Sequence, residues 1–283
     1  MKASGLAGEH REEPTVHLTN RPAHLSTLLR ETWQARGLMM LLARRDFYVR
    51  YRRAALGVLW AVLLPLSQAV VLSLVLGRVT HLASSSAAPY PVFVIAGITA
   101  WSFFSTAMSA AATSIVDGSG MSTKVYFPRM LLPAVSVSSA AIGFVLNTGV
   151  LLLLCVFFGI GLSRILLLVP AVLLAAALTM SFGLVLSVAY VYFRDVRYLL
   201  DAAQRAWFYV TPVFYSLNRL GSFRPFILAN PATGVVELYR AGTVGADPGW
   251  LPSLWWSLGW TAVMGALGLW LHRKHDRLVT DLL

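Results

Sequence analysis

The stretch ILLLVPAVLLAAALTMSFGLVLSVAYVYF, residues 165–193, contains no charged side chain along its whole length. A helix needs about 20 consecutive apolar residues to cross the hydrocarbon core of a bilayer. Further apolar runs of similar length lie on either side of this one, separated by short charged or polar stretches. The sequence therefore predicts an all-α integral membrane protein with six transmembrane helices, at about residues 56–79, 90–116, 130–161, 165–193, 198–217 and 250–271.

The composition of the whole chain agrees with a membrane protein. Of its 283 residues 57% are hydrophobic and 12% are charged, about half the charged fraction of a typical soluble domain. The net charge of +11 would indicate nucleic-acid binding in a soluble protein. Here much of the positive charge lies beside apolar runs, where it sets topology and attracts anionic lipid. We therefore expect membrane lipids, and no nucleic acid, as partners.

The distribution of lysine and arginine predicts the orientation. Six spans place both termini on the same side of the membrane, and that side carries 18 of the 23 Lys and Arg residues, against 5 on the other. Loops that stay in the cytosol are the ones enriched in these residues. Both termini are therefore predicted to be cytosolic.

The segments outside the spans differ in character. Residues 1–24 are polar and predict a disordered cytosolic tail, and residues 273–283 form a second cytosolic tail. Residues 25–53 combine apolar side chains at helical spacing with many charges, which predicts an amphipathic interfacial helix. Residues 218–249 contain apolar pieces too short to span, which predicts re-entrant or interfacial helices before the last span. The transmembrane domain is predicted to occupy residues 54–272.

The sequence offers no constellation for catalysis, metal binding or cofactor binding. Cys155 is the single cysteine, and the six histidines show no His-Glu-x-x-His pattern. The Gly-rich piece at residues 118–124 lacks the Gly-Lys-Ser/Thr ending of a phosphate-binding loop. We therefore predict that the chain is not an enzyme and that any ATP consumed in transport is hydrolysed by another chain.

Two groups of arginine and aromatic side chains are candidates for contact with a substrate. The basic-aromatic run at residues 44–53 is either a membrane-interface anchor or a gate, in which Arg holds a lipid phosphate and Tyr stacks on sugars. The aromatic side chains near Pro212 are either packing and interfacial belt residues or the lining of a pore for sugar rings. The predicted gate and channel residues are Arg44, Arg45, Tyr48, Tyr51, Trp101, Phe104, Trp207, Tyr209, Phe214 and Tyr215.

The loop at residues 117–129 is either a plain connector or a short helix that docks into a cytosolic partner. Its candidate contact residues are Lys124, Tyr126, Phe127 and Arg129. Polar side chains inside the spans have a structural interpretation: Gln68 and Asn147 are expected to hydrogen-bond between helices. Asp201 and Arg205 lie four residues apart, so the two can neutralise each other on one helix face.

Four segments resemble the ABC-2 membrane subunits of polysaccharide exporters, the O-antigen, capsule and teichoic acid permeases. They are RRDFYVRYRRAALGVLWAVLLPL (44–66), KVYFPRMLLP (124–133), FRDVRYLLDAAQRAWFYVTPVFY (193–215) and NPATGVVELYR (230–240). Together with the hydropathy pattern, the resemblance covers the chain from about residue 25 to the end.

The resemblance implies a homodimer in the bacterial cytoplasmic (inner) membrane, working with two copies of a separate ABC ATPase that binds ATP and Mg. It implies that residues 117–129 are the coupling helix, that residues 25–53 are a gate helix, and that residues 218–245 are re-entrant. The substrate implied is a lipid-linked polysaccharide or teichoic acid precursor, which moves past aromatic side chains.

Two alternatives remain open at this point. The first is an ABC-2 permease for a small hydrophobic drug or lipid, which would have the same fold and an apolar cavity. The second is a membrane-bound enzyme or assembly factor of the cell envelope, which would need acidic or histidine residues gathered at one membrane face.

Overall fold

The computed structural model describes the chain in six stretches. These are residues 25–52, 54–79, 88–118, 129–217, 220–245 and 251–275. Within these stretches the structure is helical and contains no strand. The predicted tail at residues 1–24 lies outside the described part of the chain, as does most of the tail at residues 273–283.

Five helices are long and apolar enough to cross a membrane in the part of the chain that is described. We call the corresponding α-helices α3 (Trp60–Val79), α4 (Tyr90–Asp117), α5 (Leu131–Phe157), α6 (Leu168–Tyr192) and α10 (Leu251–His275). Short 3₁₀ turns at Gly57–Leu59 and Ile165–Leu167 lead into α3 and α6. Five of the six predicted apolar runs form these helices because each is long enough to cover the hydrocarbon core with its backbone hydrogen bonds satisfied.

The segment before the first span forms two helices, α1 (Leu25–Gln34) and α2 (Arg36–Tyr51). The helical hydrogen bonds run on through their junction, since Ala35 N donates to Glu31 O and Met39 N donates to Ala35 O, both at 2.9 Å. Buried side chains of α2 face α5, and the charged side chains of α2 remain exposed. Apolar spacing on one face thus docks α2 on the bundle.

α4 is the central helix of the bundle. In its most apolar window 72% of the residues are buried, against 11% in the windows of α3 and α10. Small side chains on α4 permit this close packing. At Gly183 of α6 an added Cβ would lie 2.7 Å from the Cβ of Ala111, so α4 and α6 approach too closely there for any larger residue. α3 and α10 lie at the periphery.

The run at residues 198–217, predicted as one spanning helix, does not form one. The helix here, α7 (Val196–Val210), has 15 residues and a length of about 22 Å, short of the roughly 30 Å of a hydrocarbon core. It ends because Thr211 precedes a proline and adopts an extended conformation, with φ −84° and ψ 138°. The described part of the chain therefore holds five long apolar helices, and the segment after α7 is irregular.

Two short helices follow, α8 (Arg224–Leu228) and α9 (Pro231–Thr243). Asn230 caps α9, because its side chain accepts a hydrogen bond from Ala232 N at 3.0 Å. Pro231 occupies the first turn, where its missing N–H leaves no helical bond unmade. Every residue of α9 is buried. α9 is too short to span a bilayer, yet it fills the interior of the bundle between α4, α6 and α10.

Candidate functional site

A groove of about 660 Å³ opens between α2, α3, α4, α5 and α7. Its polar lining consists of Arg50, Ser67, Gln68, Thr99, Ser102, Thr106 and Asn147. Its aromatic lining consists of Phe47, Tyr51, Trp60, Phe103, Phe144, Phe208 and Tyr209. The amide and hydroxyl groups of this lining can hydrogen-bond to a ligand, and the aromatic rings beside them can stack on it.

The basic-aromatic run of α2 divides between the groove and the outer surface. Tyr51 lines the groove, and its ring contacts that of the buried Phe47 with centres 5.3 Å apart. Arg44, Arg45 and Tyr48 are exposed and do not line the groove.

The arginine that lines the groove is Arg50, which was not among the predicted gate residues. Its guanidinium lies 3.4 Å from the carboxylate of Asp46, one helical turn earlier. The spacing of three residues from the buried Phe47 was the available signal, since it places Arg50 on the inward side of α2.

Three of the predicted channel residues lie in an aromatic cluster inside the bundle. Trp101 and Phe104 of α4 are buried, and Trp207 of α7 is partly buried. The ring centres are 5.3 Å apart for Phe104 and Trp207 and 6.2 Å apart for Trp101 and Trp207. None of the three lines the groove. They join α7 to α4 by aromatic packing.

The other predicted channel aromatics lie at the end of α7 and just beyond it. Tyr209 is exposed and lines the groove. Phe214 and Tyr215 belong to the irregular segment, and both are partly buried. The hydroxyl of Tyr215 donates to Val210 O at 2.9 Å, which folds this segment back on the end of α7.

A polar network joins the end of α7 to the start of α9. Trp207 Nε1 donates to Asn230 Oδ1 at 2.8 Å, and Asn230 Nδ2 donates to Thr211 Oγ1 at 3.0 Å. The Thr211 hydroxyl in turn donates to Trp207 O at 2.9 Å. Asn230 therefore caps α9 and also binds Trp207 in the last turn of α7 and Thr211 just after its end.

Arg240 of α9 is completely buried and donates hydrogen bonds to backbone carbonyls of the irregular segment after α7. Its Nη1 donates to Pro212 O at 2.6 Å and to Glu237 Oε1 at 2.9 Å, and its Nη2 donates to Val213 O. The two carbonyls belong to residues outside any helix, so the guanidinium replaces the helical donors that they lack. We refer to Arg240, Glu237 and these two carbonyls as the arginine clamp.

The walls of the arginine clamp fit the guanidinium closely. Its central carbon lies 3.7 Å from the centre of the Phe93 ring on α4, a cation–π contact in a desolvated setting. A Cβ added at Gly97 would collide with Val213 O and with Nη2 of Arg240. The sequence pointed to Arg240 only through a family resemblance, and Glu237 was missed. The available signal for Glu237 was its spacing of three residues from Arg240.

The predicted coupling residues are only partly within the described chain. Arg129 is partly buried just before α5. Lys124, Tyr126 and Phe127 lie outside the described residues.

Long apolar helices packed around a polar and aromatic groove are typical of a multi-pass membrane protein. The sequence profile of the ABC-2 type transporter family matches residues 37–244, which covers α2 through α9. The chain belongs to the ABC-2 type transporter family, and the resemblance drawn from the four segments is confirmed.

The chain is similar to proteins named O-antigen export system permease protein RfbA. The one from Myxococcus xanthus is 32% identical over 218 residues, which covers 76% of this chain and 83% of the relative. One from Klebsiella pneumoniae is 23% identical over 217 residues, covering 74% and 83%. The predicted assignment to a polysaccharide exporter permease is confirmed at the level of the family and these relatives.

Proposed function

We propose that this chain is the membrane-spanning subunit of an ABC exporter that moves a lipid-linked polysaccharide of the O-antigen class out across the cytoplasmic membrane. The observation that carries the proposal is the groove. It combines Arg50 with amide, hydroxyl and aromatic side chains, whereas the exposed faces of the long helices are mainly apolar. The names of the relatives support the choice of a polysaccharide.

The lining of the groove matches the chemistry of such a substrate. Sugar rings present apolar faces that stack on tyrosine and hydroxyls that bond to amides, and Tyr209 and Gln68 offer these two kinds of contact. A lipid diphosphate carries negative charge, which an arginine recognises through its planar fork of donors. The side chain of Arg50 is one-third exposed and contacts Asp46 at 3.4 Å, so its guanidinium is accessible to a phosphate.

We infer that two copies of the chain enclose the pathway between them. α3 forms one wall of the groove, and apolar side chains of α3 that do not line the groove are exposed, namely Val70, Leu74 and Val75. A second copy facing this surface would turn two open grooves into one channel. Two copies of an ABC ATPase, which bind ATP and Mg, would attach through the segment at residues 117–129.

The proposed topology places both termini in the cytosol and makes the fifth of six crossings from two pieces. α7 enters from the cytosolic side, and the irregular segment at residues 211–217 completes the passage. α8 and α9 then re-enter from the outer side before α10 returns. The buried arginine clamp supports this path, because irregular backbone at membrane depth is tolerated where protein satisfies its polar groups. In this topology α1 and α2 lie along the cytosolic membrane surface.

Complementation tests the proposal. The gene is deleted in its host, and surface polysaccharide and intracellular lipid-linked polymer are measured together. The expected result is loss of surface polymer with accumulation of the lipid-linked form inside, reversed by the wild-type chain with its ATPase. Unchanged surface polymer combined with altered lipid distribution or drug sensitivity would instead identify a lipid or drug permease. A tagged chain should also co-purify with the ATPase.

A further inference from the structure

Pro65 interrupts the hydrogen-bond ladder of α3 beside the groove. In an α-helix the N–H of each residue donates to the carbonyl four residues earlier, so residue 65 would be the donor for Ala61. Proline has no amide hydrogen, and the carbonyl of Ala61 therefore lacks its usual partner. Ala61 and Pro65 both line the groove.

Asn147 of α5 supplies the missing donor. Its Nδ2 donates to Ala61 O at 3.0 Å and to Gly143 O of its own helix at 2.9 Å. Within a bilayer every backbone polar group has to be satisfied by protein. At this one level of α3 a bond within the helix has thus been exchanged for a bond to a neighbouring helix. The bond also agrees with the expectation that Asn147 links two helices.

The exchange has a mechanical consequence. A bond within a helix fixes the two halves of that helix to each other. The bond to α5 instead holds the part of α3 before Pro65 only while α3 stays against α5. The piece of α3 before Pro65 carries Trp60 and Leu64, which form a wall of the groove. This piece begins at Gly57, whose φ of +51° favours glycine. A residue at which a helix can bend, Gly57 or Pro65, therefore stands at each end of this piece.

We propose that Asn147 is a positioning residue for transport, whose bond to Ala61 holds residues 57–64 as the wall of the groove and whose release lets this piece swing about Pro65. The inference rests on the proposed transport function. A polymer with bulky sugar units needs room to pass the wall of the groove, and helices bend at proline. Breaking one side-chain bond frees the wall without unwinding the helix.

The test compares three variants of the full-length chain, expressed with its ATPase in a strain that lacks the permease. Asn147→Leu removes the donor, Pro65→Ala returns an amide hydrogen to position 65, and the third variant carries both changes. Cell-surface polysaccharide and the thermal stability of the purified chain are measured for each. Maleimide labelling of Ala61→Cys in a Cys155→Ser background reports the position of the wall, because Ala61 is buried while the wall is in place and Cys155 is the only native cysteine.

We expect Asn147→Leu to lower export and to raise labelling at position 61 by roughly three- to tenfold, the equilibrium factor of one interhelical hydrogen bond. Pro65→Ala should fold normally and also lower export, because a straight helix does not pivot. The double variant should regain wild-type thermal stability, since the Ala61 carbonyl again has a donor in its own helix, and should export as little as Pro65→Ala.

Full export by the double variant would overturn the inference, because Asn147 would then serve stability alone. Wild-type export by Pro65→Ala would overturn it as well, and this result does not depend on whether Asn147→Leu folds. Export by the wild-type chain with its ATPase is measured before any variant is compared. If the wild-type chain exports no polymer, that result counts against the proposed function itself.

Discussion

The guanidinium carbon of Arg240 lies 3.7 Å from the centre of the Phe93 ring, and this contact connects a buried short helix to the central helix of the bundle. On its other sides the same guanidinium binds Glu237 and the carbonyls of Pro212 and Val213. One side chain thus joins α4, α9 and the break after α7. Four predictions follow from this arrangement and from the groove beside it.

Replacing Arg240 by methionine should destabilise the chain by about 3–5 kcal/mol. The change removes one member of a buried ion pair and leaves Glu237 and two carbonyls without their donor. Thermal unfolding of the purified chain in detergent would measure the effect. Arg205→Met is the matched control, because Arg205 is exposed on α7. Equal stability of the two variants would show that the arginine clamp contributes nothing to folding.

Gly97→Ala should destabilise the chain by about 1–3 kcal/mol, the usual cost of overpacking a core. The added methyl group would collide with Val213 O, a backbone atom, and with Arg240. Gly149→Ala provides the comparison, because an added Cβ there meets no atom within 4 Å. In a helix that substitution should be neutral or stabilising by up to about 1 kcal/mol. If Gly97→Ala proved equally harmless, the close contact between α4 and the irregular segment would be refuted.

Asn230→Ala should cost about 1–2 kcal/mol, because α9 loses its cap and Trp207 loses its acceptor. Asn230→Ser retains a capping oxygen and should cost less. A double-mutant cycle with Trp207→Phe isolates the bond between the two side chains. The thermal stabilities of the four proteins give the coupling energy. A coupling energy of zero would contradict the direct Trp207–Asn230 bond.

Tyr51→Ala should reduce export at least about tenfold while leaving the fold intact, the effect of losing ~1.4 kcal/mol of contact with the moving substrate. Tyr51 lines the groove, whereas Tyr48 does not line it and is 64% exposed. Tyr48→Ala is therefore the matched control and should export more than Tyr51→Ala. Surface polysaccharide in the complemented deletion strain is the measurement. A larger loss at Tyr48 would move the gate from the groove to the outer face of α2.

The positions of the long helices could be predicted from the sequence because each depends on a local property, an unbroken apolar run. The end of α7 was also visible in principle, since Pro212 and the charges at Arg197, Asp201 and Arg205 argue against a spanning helix. The apolar character of residues 206–217 concealed it. The backbone conformation of Thr211 decided the outcome.

The arginine clamp and the bond from Asn147 to Ala61 could not be derived in the same way. Each joins residues that are distant in sequence, and no local pattern states which carbonyl lacks a donor in the folded chain. Pro65 identifies one such carbonyl, yet only the structure shows that Asn147 reaches it. Residue type alone does not distinguish an aromatic side chain that lines a pore from one that packs in the core. Trp101 and Phe104, predicted as channel residues, are buried inside the bundle.

The complete burial of α9 has a consequence for how the protein is made. Its neighbours include α10, which is synthesised after it, and Ser257 of α10 donates to Pro231 O at the start of α9. A helix of 13 residues gains no stable position in lipid before its neighbours surround it. Residues 231–243 therefore reach their final place only after α10 has been made and packs against them. Truncation within α10 would remove the Ser257 donor of Pro231 O and one of the helices that bury α9.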